Sequence, residues 1–260
     1  MATRVSAIYF SATGTTEKVV KAVAKGTGLP CENYAVQHIY NPPQIPKFGK
    51  DDLVVIGAPV YVGRVPMPLL KILGGLEGDG TPCIIIGVYG NRNYDDFLVE
   101  LEDIAISKGF CPVGGAAFIG EHSFSKTLAG GRPNVDDLAV AEKFGQDVAA
   151  KLQSGDAALE LGTIAGSRPY RDPYGGTGKR EPMGPSFTES CAKCGICVEK
   201  CPTGAISQPG TVALERCIRC YACVKGCPCG AAIFTNEQFL GHVAHLEKEY
   251  ASYKAPEIFI

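Results

Sequence analysis

Eight cysteines between residues 191 and 227 fall into two runs of one pattern. The first reads Cys191-x-x-Cys194-x-x-Cys197-x-x-x-Cys201-Pro202. The second reads Cys217-x-x-Cys220-x-x-Cys223-x-x-x-Cys227-Pro228, each cysteine 26 residues after its counterpart. Two-residue gaps let a tight loop bring three sulfurs to three irons of a [4Fe–4S] cube, and the fourth thiolate must come from elsewhere. Structural zinc uses C-x-x-C pairs, four ligands to an ion, which leaves the third cysteine and the proline of each run without a role. Disulfides belong to secreted chains, and nothing in the sequence marks secretion. The spacing therefore points to iron–sulfur clusters and electron handling. Of the other cysteines, Cys83 and Cys111 sit beside apolar runs and read as small buried hydrophobes. Cys31 carries no signal, and Cys229 reads as an inert thiol near a ligand.

A second site lies at the other end of the chain. An apolar stretch, Val5 to Phe10, leads into Ser11-Ala12-Thr13-Gly14-Thr15-Thr16 and then a helical pattern. A strand-to-helix turn is where an α/β sheet binds phosphate on the helix N-terminus. Neither G-x-G-x-x-G nor the lysine-bearing P-loop is present. What remains is a turn of four hydroxyls and one glycine, able to enclose a phosphate monoester without a cation. That is the chemistry of FMN binding. A simple helix cap needs one such residue. Two further loops follow apolar runs: Ala58-Pro59-Val60-Tyr61-Val62-Gly63-Arg64-Val65-Pro66 and Tyr89-Gly90-Asn91-Arg92-Asn93-Tyr94-Asp95-Asp96. Both offer aromatic rings to a planar ligand and glycines for close backbone approach.

These loops need a scaffold. Val5–Phe10, Leu53–Gly57, Cys83–Val88, Cys111–Phe118 and Leu29–Ala35 read as strands, each short and bounded by Gly, Pro or Asp. Thr16–Lys25, Asp95–Lys108 and Asp136–Leu152 read as amphipathic helices, with Gly26 as a C′ stop for the first and Asn134 as a cap for the last. Strand–helix alternation with near-continuous apolar strands means a parallel sheet covered on both faces. Residues 153–186 break the pattern with Gly, Pro, Ser and charges and read as a linker or extended strap. Its Arg168, Arg171, Lys179 and Arg180, against Asp172 and Glu181, read as a solvated run or as a basic strap over anionic clusters. Residues 187–240 hold too few large apolar groups for a sufficient core, so metal sites must supply much of the folding free energy. Ile196, Val198, Ile206, Val224 and Ile233 are expected around the cubes. Residues 241–260 read as a C-terminal tail.

At this point the chain resembles a known architecture. Residues 1–152 look like a flavodoxin, and residues 187–240 look like a bacterial-type two-cluster ferredoxin. The order resembles the flavodoxin–ferredoxin fusion proteins of anaerobes. The resemblance implies an α/β, doubly wound parallel sheet of order 2-1-3-4-5 plus a small α+β two-cluster module. It implies FMN, with Ser11, Thr13, Gly14, Thr15 and Thr16 on the phosphate. Pro59, Val60, Tyr61, Gly63 and Arg64 would flank the isoalloxazine together with Tyr89, Gly90, Asn91, Arg92 and Tyr94. Tryptophan is absent, so Tyr61 or Tyr94 must stack on the ring, and Gly63 is the candidate for a peptide that flips toward it. In two-cluster ferredoxins the cysteine before proline serves the other cluster. Cys191, Cys194, Cys197 and Cys227 would then share one cube, and Cys217, Cys220, Cys223 and Cys201 the other.

A net charge of −2 gives no global case for nucleic acid or an anionic membrane. No run approaches membrane-span length, and the stretch after Met1 is too short for a signal h-region. The expectation is a soluble cytoplasmic protein of an anaerobic cell. Two functions compete. One is an electron carrier between FMN, two [4Fe–4S] clusters and redox partner proteins. The other is a ferredoxin-fed flavin reductase acting on a small-molecule substrate, in which His122, within Glu121–Ser125, would donate a proton. The simpler reading of His122 is that it closes a loop.

Overall fold

The computed structural model describes residues 2–155, 163–173 and 181–260. Five apolar runs form strands β1 (Arg4–Phe10), β2 (Cys31–Val36), β3 (Asp52–Pro59), β4 (Thr81–Tyr89) and β5 (Phe110–Ile119). Between and after them run α1 (Thr15–Gly26), α2 (Met67–Leu73), α3 (Phe97–Ser107) and α4 (Val135–Ser154). All five strands are parallel, in the order β2-β1-β3-β4-β5. This is the flavodoxin-like doubly wound order, and its switch point opens a crevice at the carboxyl ends of β1 and β3.

Strand periodicity divides the core. Val5, Ala7 and Tyr9 of β1 join Val19, Val23, Phe144 and Val148 on the α1/α4 face, while Ile8 and Phe10 join Leu69, Leu73, Leu98 and Leu101 on the α2/α3 face. Fully burying one such aliphatic or aromatic side chain contributes roughly 1.5–3 kcal/mol, so this domain carries its own core. Asn134 caps α4 in a reciprocal capping box with Asp137, as expected. Gly26 is not the C′ stop. It is the last residue of α1, with Thr27 as the C-cap, and a Cβ there would lie 2.0 Å from the Glu142 carbonyl oxygen. It is glycine so that α1 and α4 can touch. Cys83 is buried, but Cys111 is exposed, because burial along β5 becomes continuous only after it.

The second module is small and α+β. It comprises β6 (Ser186–Phe187), α5 (Ile196–Glu199), β7 (Ile206–Gln208), β8 (Thr211–Val212), α6 (Ala222–Gly226) and β9 (Ala232–Ile233). Strands β6 and β9 pair antiparallel, as do β7 and β8. Ile206 is buried beside the thiols and Val198 and Val224 pack partly buried against it, while Ile196 and Ile233 are half-buried outside that cluster.

The expected tail is not a tail. It completes α7 (Glu237–Glu249) and ends in β10 (Glu257–Phe259), which pairs antiparallel with β5 through Ile258 and Ala116. The chain thus returns from the second module to close the edge of the first sheet. The described part of the linker is pinned as well. Arg168 pairs with Glu102 and Asp103, Tyr170 donates to Asp103, and Asp96 accepts from the Ser167 and Arg171 N–H groups. Its arginines neutralise the acidic side of α3 rather than the thiols; Lys179 and Arg180 lie outside the described residues. No helix among the described residues is long and apolar enough to cross a membrane.

Candidate functional site

The carboxyl ends of β1, β3, β4 and β5 enclose a cavity of about 440 Å³, lined among others by Thr13, Thr15, Thr16, Tyr61, Gly90 and His122. Pro59, Val60, Tyr89 and Gly120 complete its walls. At its base, α1 begins from Gly14 in the left-handed conformation, φ 85°. The first N–H groups of a helix have no intrahelical acceptor. Here the Glu17 N–H donates to Ser11 Oγ at 3.0 Å and the Lys18 N–H to the Gly14 carbonyl at 3.3 Å. Those of Thr15 and Thr16 have no acceptor among the described residues. Thr16 is 1% exposed and its Oγ1 is buried without a partner. Buried hydroxyls are normally bonded, so this orphan, two free helix N–H groups and the absence of lysine together fit a phosphate group.

His122 forms the wall opposite. Its Nδ1 accepts from the Phe124 N–H at 3.1 Å, which leaves the proton on Nε2. Gly90 makes room for it, since a Cβ there would fall 2.3 Å from the imidazole Cδ2. Burial, with the Lys225 charge adding to it, lowers the imidazole from 6.5 to about 4. The unfolded chain therefore binds a proton here at a pH where the folded chain does not. The stability held by neutral His122 is full above pH 6.5 and lost as pH falls through about 4. Across that window the unfolding free energy is expected to drop by about 3 kcal/mol on this account. Urea titrations of His122→Asn at both ends of the window should show a correspondingly smaller drop.

Several residues expected here are engaged elsewhere. Ser11 Oγ serves as the α1 cap described above. Val62 and Gly63, with φ of 50° and 78°, make a tight reversal closed by mutual Tyr61–Arg64 backbone bonds. The Gly63 carbonyl accepts from the Asp96 N–H at 3.1 Å, and Gly63 does not line the cavity. Arg64 forms a two-pronged pair with Glu100, both bonds 2.8 Å. Asn91 Nδ2 donates to the carbonyls of Tyr250 and Ser252, and Arg92 pairs with Asp95. Tyr94 is buried, packs edge-on against Tyr89 and donates to Glu257 at 2.6 Å. The returning C-terminal segment has taken Asn91 and Tyr94, and the tyrosines that line the cavity are Tyr61 and Tyr89. Sequence reasoning did not mark Ala12 or Gly120 as cavity residues. Their only signal was adjacency to strand ends.

The thiols gather in the second module. Cys201, Cys217, Cys220 and Cys223 line one cavity of about 330 Å³. Cys201 comes from the first run and the other three from the second. Cys197 lies within electrostatic reach of Cys191 and Cys194. The contacts recorded for Cys227 are backbone N–H donors, with Ala231 N at 3.2 Å. Ala205 N donates to Cys201 Sγ at the same distance and the same sequence offset. Among the described residues no three His, Cys, Asp or Glu side chains converge on a single-ion position. The Cys201 set instead surrounds a space, as thiolates around a cube do.

The modules are fastened where the two cavities approach. Lys225 Nζ donates to Glu121 Oε1 at 2.5 Å and to the His122 carbonyl at 2.9 Å. Ser125 Oγ and Thr127 Oγ1 both donate to Glu247 on α7. The Ile39 N–H donates to the Pro202 carbonyl at 2.9 Å, and Arg216 lies 5.0 Å from the Tyr40 ring centroid.

A family model described as a 4Fe-4S binding domain matches residues 187–207. No curated protein matches the chain. Among solved structures, an archaeal flavodoxin is similar at 14% identity and TM-score 0.43, over 58% of this chain and 99% of its own. A Streptococcus pneumoniae flavodoxin matches at 16% and 0.39, over 56% and 98%. A Fusobacterium nucleatum flavodoxin variant bound to flavin mononucleotide matches at 16% and 0.39, over 57% and 96%. The strand order defines the first domain as flavodoxin-like. The chain joins that domain to a cysteine-rich module of which residues 187–207 match a 4Fe-4S binding domain.

Proposed function

We propose that the chain holds FMN in the hydroxyl-lined cavity and two [4Fe–4S] clusters on the two cysteine sets, and carries electrons between them and external redox proteins. The observation that carries this reading is that the loop Glu121–Ser125 belongs to both sites. His122 lines the hydroxyl-rich cavity, while Lys225, within the second cysteine run, bonds to Glu121 and to the His122 carbonyl. When bound, FMN takes up two electrons and each cluster one. Thr13, Thr15 and Thr16 would hold the phosphate, Tyr61 the ring face, and His122 Nε2–H would offer a donor to the flavin. Cys191, Cys194, Cys197 and Cys227 would ligate one cluster, and Cys201, Cys217, Cys220 and Cys223 the other.

The alternative is a ferredoxin-fed reductase of a small molecule, which draws on the same His122. Against it, the loop bearing His122 is covered by the second module rather than facing an open substrate cleft. Anaerobic purification with iron, sulfide and flavin analysis tests the reading. It should give about eight irons and one FMN per chain. About one zinc with no iron would overturn it, and steady reduction of a small-molecule acceptor without a protein partner would favour the reductase.

A further inference from the structure

The two cysteine runs are near-duplicates, and one place where they differ is costly. Lys193 and Arg219, 26 residues apart, share a left-handed backbone, φ 53° and 54°. The next equivalent pair is Gly195 and Tyr221, again both left-handed, φ 80° and 64°. Glycine adopts this conformation without penalty. A tyrosine held there is strained and persists only where its surroundings enforce it. Nothing lies within 4 Å of where a Gly195 Cβ would stand, whereas the Tyr221 ring is buried, 7% exposed.

What surrounds that ring is a chain of rings. Tyr221 stacks on Phe234 with centroids 4.6 Å apart and planes at 9°, and sits 5.1 Å from Phe124. Phe124 is 5.0 Å from His122, which lines the flavin cavity. Tyr221 and Phe234 line the cavity of Cys201, Cys217, Cys220 and Cys223. The other contacts with the first domain come from this side too, through Pro202, Arg216 and Lys225. Among the described residues no hydrogen bond or ring contact joins 188–200 to the first domain. Cys194 is exposed and Cys191 half-buried, while Cys220 and Cys223 are buried.

We propose that the cluster on Cys201, Cys217, Cys220 and Cys223 is the inner one, coupled to the flavin through the packed rings of Tyr221, Phe124 and His122, and that the cluster on the first run is the port for an external one-electron protein. This rests on the cofactor content proposed above. Electrons from a reduced partner enter at the first run, pass one at a time to the inner set and leave to the flavin. Two of them, with protons from solvent, complete its reduction, and the same path serves the reverse flow.

The test uses the full chain with measured iron and FMN. One electron is injected rapidly, and equilibration between iron–sulfur and flavin absorbance is followed. Tyr221→Gly installs the residue that the first run already uses in this conformation, so iron, FMN and the reduction potentials should stay at wild-type values. Equilibration should slow by about tenfold, because a gap replaces packed contact. Phe124→Leu should act likewise, and Tyr221→Phe should restore the rate. Tyr40→Leu, which loosens the interface away from the rings, should leave it unchanged. Independently, reducing the clusters should broaden the proton NMR signals of the Phe124 and Tyr221 rings. Unchanged rates in both ring variants, equal slowing by Tyr40→Leu, or unaffected Phe124 resonances would overturn the inference. Absence of iron or FMN would instead overturn the functional reading beneath it.

Discussion

Cys201→Ala is expected to lose about four of about eight irons per chain, and the lost cluster should be that of the second run. The reason is positional. Cys201 lines the cavity of Cys217, Cys220 and Cys223, whereas Cys197, four residues earlier, is coupled to Cys191 and Cys194. Ala205 N–H donates to Cys201 Sγ at 3.2 Å, a bond that fixes the thiol's direction. Burial pushes the Cys220 and Cys223 thiols up to about 12. Removing one ligand therefore leaves thiols that hold no charge by themselves and a cavity with no filling. The module has a small apolar core and draws folding free energy from metal binding, so its protease resistance should fall with the iron. Iron analysis and EPR of the reduced variant check this. A surviving signal that Cys194→Ala fails to remove would reject the crossed ligand sets.

Thr16→Val is expected to move two measurements in opposite directions. The Thr16 hydroxyl is buried and has no hydrogen-bond partner among the described residues. Replacing it with a methyl group of similar shape removes a desolvation cost of about 1–2 kcal/mol, so the flavin-free protein should melt later. With FMN present, the same change deletes a hydrogen bond to a charged group, worth about 1.5–3 kcal/mol, or roughly tenfold to 150-fold in Kd. Thr16→Ser should keep the affinity. Thermal melts of the flavin-free variant and fluorescence titration with FMN give the two numbers. Wild-type affinity in Thr16→Val would move the phosphate away from the start of α1. A merely structural role for the hydroxyl would lower stability instead of raising it.

Much of both sites was legible because the signals are local. A hydroxyl-rich turn after an apolar run, and thiols at two-residue gaps, require only nearby backbone geometry. The Asn134 capping box and the five parallel strands are of the same kind, each set by periodicity within one segment. The misread residues share a different cause. Tyr94, Asn91 and Arg92 have the right types for a flavin loop, but Glu257, the carbonyls of Tyr250 and Ser252, and Asp95 occupy them. Three of those four partners come from a segment about 160 residues away. Strand β10 was invisible for a related reason. Three residues with Ile258 40% exposed carry no alternation of their own, and their strand character comes from β5.

Tyr221 stands between the two cases. The repeat itself shows tyrosine where its twin has glycine, a difference readable from the alignment of the runs. That the position is left-handed, and that the ring meets Phe124 and His122 from the other domain, depends on φ and on docking. The sequence by itself determined which atoms can bind, the thiols and the hydroxyls, because ligand spacing and helix starts are short-range properties of the chain. Only the tertiary structure decided which of them face a cavity and which cysteine set lies toward the first domain. Packing brings together groups far apart in sequence, and each buried polar atom goes to whichever partner arrives.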